Sequence, residues 1–236
     1  MRLDSYIFNQ KLTDSRNRAK ALILNSKVIV DGKIIKKPSF IVEDFHKVEI
    51  LEDLAYVSRA GDKLKAFLDR HKDISIKDKY CLDIGSSTGG FIEVLLEFGA
   101  KRVVGVDVGS NQLHQKIKEN SRVESHEEID IRLFKSDKLF DVVTCDVSFV
   151  SLEYILPSID RLSAKDIIIL FKPQFEVGKN VKRSRRGVVK DEKAIIHALD
   201  LFENHILDFG YKMITKENSQ IKGKEGNIEV FYHFQK

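Results

Sequence analysis

Cysteine is scarce in this chain, and the two present among 236 residues, Cys81 and Cys145, fall inside apolar runs that read as buried strands. They are read as core residues of a reducing compartment, with no disulfide framework and no metal implied. Long apolar runs are also missing. The longest, such as Ile167 to Phe171, fall far short of the length a membrane helix needs. The start, Met1-Arg2-Leu3-Asp4, lacks the basic-then-apolar build of a signal peptide. Membrane insertion and secretion are therefore not expected, and a cytoplasmic protein is. The composition, 42% apolar, can bury one good core and carry a small accessory module, so two unequal domains are expected, 1–55 and 56–236.

Charge is unevenly spread. Residues 1–50 hold ten Lys or Arg against six Asp or Glu, and the rest of the chain holds thirty of each sign. A compact basic module on a neutral body suggests a reader of polyanions, because cations gain affinity by releasing counterions from phosphates; an ordinary lysine-rich surface has the same charge. Within the module, Leu3, Tyr6 and Ile7 recur at helical spacing. A second helix is expected from an Asp14-Ser15 cap, with Ala19, Leu22 and Ile23 facing inward. Val28–Val30 and Lys33–Ile35 read as strands joined by Asp31-Gly32, the pair that favours a type I' hairpin. Arg2, Arg16, Arg18, Lys20, Lys27, Lys36 and Lys37 are left for the surface, and all but Lys27 are taken as candidate RNA contacts. Arg2-Leu3-Asp4, Leu12 to Arg16, Ala19, Ile23, Val28, Val30-Asp31-Gly32, Lys37-Pro38 and Val42 resemble a small RNA-binding domain. That domain was first described in a ribosomal small-subunit protein, and the match spans nearly all of the amino-terminal module. The resemblance implies a targeting module without chemistry of its own.

Glu52 to Tyr56 contains neither glycine nor proline and reads as a short, semi-rigid linker. In the helix that follows, Leu64, Phe67 and Leu68 share a face; Lys63 borders that stripe and Lys65 points elsewhere. From Lys79 strands and helices alternate. Strands are expected at 80–84, 102–107, 140–146 and 167–171, with a weaker one near 122–125, and helices at 90–98, 111–119, 152–161 and 191–208. Two tail segments, Tyr211–Lys216 and Asn227–Phe234, would add an antiparallel closing pair. The fold class is thus α/β, a mostly parallel Rossmann-like sheet preceded by a small α+β module, with ligands beyond the carboxyl ends of the strands.

At that edge the turn Asp83-Ile84-Gly85-Ser86-Ser87-Thr88-Gly89-Gly90-Phe91 links a strand to a helix. A dinucleotide loop wants glycine where Ser87 stands. The turn suits better a methyltransferase loop packed around the methionine part of S-adenosylmethionine. Asp83, Gly85, Ser86, Ser87, Gly89, Gly90 and Phe91 are candidate cofactor residues, Asp107 could accept the ribose hydroxyls, Asp130 could lie near adenine, and Asp146 could border the site. Lys63, Asp146, Lys172 and Glu229 each lie in or beside segments of the same edge. Any one alone is an ordinary solvated charge; together they orient and tune one another.

Ser58-Arg59-x-Gly61-x-Lys63-Leu64, the glycine turn, Asp107-Val108-Gly109, Asp146-Val147-Ser148-Phe149, Lys172-Pro173-Gln174-Phe175-Glu176 and Gly226-Asn227-x-Glu229 resemble the TlyA (hemolysin A) family over nearly the whole chain. The resemblance implies an FtsJ-like class I methyltransferase with a Lys63-Asp146-Lys172-Glu229 catalytic set. Its expected reaction is methylation of the ribose 2'-oxygen of cytidine in ribosomal RNA, with assembled ribosomal subunits as partners. The compact ends are similar to the shorter family subtype, linked to the large subunit. Asp130 departs from the family's usual Asn, and the loop 179–190 is unusually cationic. Lys172 is the expected group that accepts or steers the hydroxyl proton, aided by Lys63, with Asp146 and Glu229 positioning the amines. Lys182, Arg183, Arg185 and Arg186 are candidate RNA contacts on a mobile clamp. Two alternatives are a non-catalytic RNA-binding or ribosome-assembly factor, and a membrane-lytic protein.

Overall fold

A computed structural model describes residues 1–13, 15–24, 26–50 and 56–236. The chain divides into Met1–Ser58 and Arg59–Lys236. Asp14 and positions 52–55 of the expected linker lie outside the described residues.

In the first unit, α1 (Leu3–Asn9) and α2 (Arg16–Leu24) pack on a small antiparallel sheet of β1 (Val28–Val30), β2 (Lys33–Ile34) and β3 (Val48–Ile50), ordered β2-β1-β3. The Ser15 hydroxyl caps α2 by accepting the Arg18 N–H at 3.1 Å, a bond that satisfies one of the helix's free donors. Asp31 and Gly32 both have positive φ, 48° and 76°, as a type I' hairpin requires. The core is the expected set Leu3, Ile7, Ala19, Leu22, Ile23, Val28 and Val30, completed by Val42. β3 was not anticipated, because Val48-Glu49-Ile50 is too short to carry a pattern of its own.

The second unit opens with α3 (Arg59–Arg70) and continues through β4 (Tyr80–Ile84), α4 (Gly90–Glu97), β5 (Arg102–Val106), α5 (Gln115–Lys118), β6 (Val123–His126) and β7 (Phe140–Cys145). It ends with α6 (Leu156–Leu162), β8 (Ser163–Phe171), α7 (Pro173–Glu176), α8 (Glu192–Asp208), β9 (Lys212–Asn218) and β10 (Val230–Gln235). The seven strands run in the order β6-β5-β4-β7-β8-β10-β9. The first five are parallel, and β10 inserts antiparallel between β8 and β9. The order reverses between β4 and β7, where a doubly wound sheet opens its crevice.

Strand β10 shows how both faces are filled. Val230, Tyr232 and Phe234 join the core that includes Phe171 on β8 and Phe202 on α8. Phe231 turns to the other face, as strand alternation dictates, stacked on Phe67 of α3 at 4.6 Å and on Phe91 of α4 at 6.3 Å. Burial of each such ring contributes about 1.5–3 kcal/mol.

The strand expected at 167–171 begins earlier, at Ser163, and three further elements differ. The helix expected at 111–119 covers only Gln115–Lys118, because Asn111 takes a φ of 52° and His114 is the N-cap. The helix expected at 152–161 is a 3₁₀ turn (Leu152–Tyr154) followed by α6, which restarts at Leu156 with Pro157 in its first turn, a residue without an N–H to continue the earlier ladder. The final strand begins at Val230, so Glu229 precedes it rather than lying within it.

Candidate functional site

The crevice is built from loops that follow β4, β5, β7 and β8. After β4 the chain turns at Gly85, φ 81°. A Cβ at Gly85 would stand 3.0 Å from the carbonyl oxygen of Asp146, so glycine lets the two central loops touch. Gly89, φ 93°, starts α4 in a left-handed conformation, and a Cβ there would meet Leu113 at 2.8 Å. Ser86 is buried. Phe91 is buried too, and its contacts with Phe231 make it part of the packing beneath the loop rather than of the lining.

Asp83 is 1% exposed. One carboxyl oxygen accepts the Thr144 hydroxyl at 2.7 Å and the other has no partner among the described residues. Burial pushes its carboxyl up to about 7, against the Thr144 hydrogen bond and with added repulsion from Asp146 and Asp107. Asp107 ties two loops together, accepting the Ser87 N–H at 2.8 Å and the Gly109 N–H at 2.7 Å, and its oxygens keep further lone pairs. Asp130 lies next to Ile129, whose N–H reaches the Asp107 carbonyl, and is held below the usual carboxylate range by the Arg132 guanidinium.

The four charges expected to act together form two pairs. Lys63 Nζ is 2.6 Å from Glu229 Oε2, with side chains 9% and 3% exposed. Lys172 Nζ is 2.7 Å from Asp146 Oδ1 and donates to the Ser148 hydroxyl at 2.9 Å. Burial raises the Asp146 carboxyl; Lys172 and Lys63 oppose the rise and Glu229 adds to it, so both pairs share one field. Two ammonium and two carboxylate groups leave the cluster close to neutral.

Several contributors escaped the sequence reading. Gln174 Nε2 donates to Glu229 Oε1 at 3.3 Å. Glu176 accepts the Ser151 hydroxyl at 2.7 Å and the Leu152 N–H at 3.1 Å, fastening the loop after β7 to the turn after β8; burial raises its carboxyl. Phe149 has a φ of 66°, rare for an aromatic. Its ring is 91% exposed and leans on Phe175 at 4.9 Å. Their signal lies in their neighbours: Ser148-Phe149 follows Asp146, and Gln174-Phe175-Glu176 follows Lys172.

The candidate RNA contacts divide. Arg2 and Arg16 both pair with buried Asp4, at 3.0 and 3.2 Å, while half of each guanidinium side chain stays exposed. Lys20, Lys36 and Lys37 are exposed and Arg18 is half-buried. Arg183 is turned inward, donating to the carbonyls of Gln174, Gly178, Lys179 and Val181. The segment expected as a mobile clamp is a hydrogen-bonded hairpin: Arg183 bridges Val189, and Ser184 N–H reaches the Val188 carbonyl at 2.8 Å. Lys182, Arg185 and Arg186 stand exposed on it.

Comparison with known proteins finds two families along the chain. The S4 domain family matches residues 1–48 and the FtsJ-like methyltransferase family matches residues 56–236. The 23S rRNA (cytidine-2'-O)-methyltransferase TlyA of Campylobacter jejuni is 46% identical, covering 99% of both chains. The 16S/23S rRNA (cytidine-2'-O)-methyltransferase TlyA of Mycobacterium tuberculosis is 35% identical, covering 98% of this chain and 88% of that one. A solved structure, "Putative hemolysin from Streptococcus thermophilus", is 33% identical with a TM-score of 0.77, covering 100% of this chain and 88% of that one.

Proposed function

The chain belongs to the TlyA family of FtsJ-like methyltransferases, and on that premise we propose that it methylates the ribose 2'-hydroxyl of a cytidine in ribosomal RNA. S-adenosylmethionine is the donor and the large subunit, in assembled form, is the substrate. The observation that carries this reading is the pair of ammonium–carboxylate contacts, Lys63–Glu229 and Lys172–Asp146, the second beside a turn whose Gly85 approaches the Asp146 carbonyl.

The donor set fits the cofactor. Asp83, with one buried oxygen lacking a partner among the described residues, suits the ammonium of the methionine part. Asp107 has lone pairs for the ribose hydroxyls, and Asp130 lies at the adenine end. When bound, the cofactor supplies a methyl group already activated on sulfonium. The protein must then hold a weakly nucleophilic hydroxyl in line with it. Lys172, fixed between Asp146 and Ser148, steers that hydroxyl and its proton; an ammonium against a carboxylate donates hydrogen bonds. Lys63 and Glu229 complete the field. The exposed ring of Phe149 offers a stacking face for a base drawn out of its helix. In the first unit Arg2, Arg16, Arg18, Lys20, Lys36 and Lys37 provide phosphate contacts, and in the second Lys182, Arg185 and Arg186 do.

Among the described residues no helix is long and apolar enough to cross a membrane. A membrane-lytic role leaves the buried pairs without a purpose. The test is transfer of labelled methyl to isolated ribosomal subunits lacking the modification, comparing the parent with Lys172→Ala and measuring cofactor affinity in both. Label on ribose of the large subunit, only with the parent, is the expected result. Near-normal turnover by the variant would remove Lys172 from its role. No label with cofactor bound normally would favour the non-catalytic RNA-binding alternative.

A further inference from the structure

The exposed arginines at the tip of the cationic hairpin and the buried Lys63–Glu229 pair are linked through one side chain, Asn227. Its Oδ1 accepts the Val189 N–H at 3.0 Å, and its Nδ2 donates to the Gly187 carbonyl at 3.4 Å. Both partners belong to the hairpin. On its main chain, Asn227 accepts the Gly223 N–H at 2.9 Å, closing a tight loop two residues before Glu229. Gly223 is pressed against that carboxylate: a Cβ there would stand 2.5 Å from Glu229 Oε1. Glu229 therefore has little freedom to move unless Gly223 and Asn227 move too.

The hairpin itself is stiff. Ser184 Oγ accepts the N–H groups of Arg186 at 3.3 Å and Val188 at 3.1 Å, and Gly187 takes a φ of 80°. At its base Arg183 donates to the Gln174 carbonyl at 3.2 Å, and the Gln174 side chain reaches the same carboxylate, Glu229, at 3.3 Å. Those contacts fix the base of the hairpin beside Glu229, whereas a displacement of the tip at Arg185 to Gly187 is carried to Glu229 through Asn227.

Building on the methyltransferase reading above, we propose that Asn227 is a positioning residue. It couples phosphate engagement by Arg185 and Arg186 to the placement of Glu229, and through it Lys63, so that the site is fully set only when RNA lies on the hairpin. This differs from a plain electrostatic clamp, which changes how much RNA is bound and leaves the rate of bound complexes alone.

The experiment is a kinetic cycle on the full-length protein with ribosomal subunits as substrate: parent, Asn227→Ala, the Arg185→Ala/Arg186→Ala pair, and all three changes together. Asn227→Ala is expected to lower kcat at least tenfold while KM for the subunit changes less than threefold and cofactor Kd less than twofold. The arginine pair is expected to raise KM and to lower kcat in the parent, yet only to raise KM once Asn227 is gone. A kcat within twofold of the parent for Asn227→Ala, or effects on kcat that simply multiply, would overturn the coupling. Gly223→Ala displaces Glu229 from a position outside the hairpin. It should lower kcat at least tenfold with KM unchanged and likewise abolish the effect of the arginine pair on kcat, so it decides the matter if Asn227→Ala does not fold. A parent unable to transfer methyl at all would end the methyltransferase reading itself, whereas an active parent with multiplicative effects ends only the coupling.

Discussion

Asp4 in the first unit and Asp83 in the second are almost equally hidden, at 3% and 1% exposure, yet their carboxyls are driven in opposite directions, down to about 2 and up to about 7. Hydrogen bonds from Arg2, then Arg16, outweigh burial at Asp4. At Asp83 burial wins, because a single hydroxyl is its counterweight and one oxygen is left over. Burial alone therefore does not fix the charge of an acid; its partners do. A buried carboxylate with its partners supplied by the fold is part of the scaffold. One lacking them has capacity for a ligand, and the one proposed for Asp83 is a cation.

The largest test of this contrast lies at the pair the fold does complete. Lys63→Met leaves Glu229 buried with only Gln174 as hydrogen-bond donor among the described residues. Breaking a buried pair in this way costs about 3–5 kcal/mol, so the melting temperature should fall by several degrees and transfer should be lost. A variant as stable as the parent would mean that the pair is wetter than its burial implies.

Next in size is the cofactor's dependence on Asp83. Between about pH 4, where an unfolded aspartate ionises, and about pH 7 the folded chain keeps a proton that the unfolded chain has released. This group therefore lowers stability as pH rises through that window and adds no further change above it. A cationic ligand needs the ionised form, so cofactor affinity should weaken below pH 7, by up to about tenfold per unit, with proton release on binding. Asp83→Asn should bind at least tenfold more weakly at pH 8 and lose this slope. Calorimetry across pH 5.5–8.5 measures both; an unchanged slope would remove Asp83 from the ammonium.

Much of this was legible in the residues. The strands expected at 80–84, 102–107 and 140–146 formed at Tyr80–Ile84, Arg102–Val106 and Phe140–Cys145, because strands covered on both faces are mostly apolar along their length. Lys63, Asp146, Lys172 and Glu229 were expected together at one edge from the segments they border and from the resemblance to the TlyA family. The partitioning into Lys63–Glu229 and Lys172–Asp146 was not readable, since it depends on where α3 crosses the sheet. Arg183 illustrates another limit. Its charge groups it with Arg185 and Arg186, but whether a guanidinium meets phosphate or four carbonyls is decided by a turn that composition does not encode. The loop roles of Glu176 and Gln174 were hidden for the same reason.

The smallest effects belong to the first unit, where exposed partners dilute each contribution. Asp4 has a folded pKa of about 2 against about 3.9 unfolded, so its stabilisation is complete above about pH 4 and disappears as pH falls through 2. Arg2 and Arg16 are half-exposed. Solvent screening therefore reduces the contribution, and Asp4→Asn should be a mild change at pH 7, well short of the loss at Lys63→Met. Hydrogen-exchange protection of the α1 amides in the full chain measures it: parent and variant should differ at pH 7 and converge toward pH 2. Arg2→Ala should cost clearly less than Asp4→Asn, because Arg16 still satisfies the carboxylate. If Arg2→Ala matched Asp4→Asn, Arg16 would be no partner of consequence, and the first unit would depend on a single ion pair rather than on a shared one.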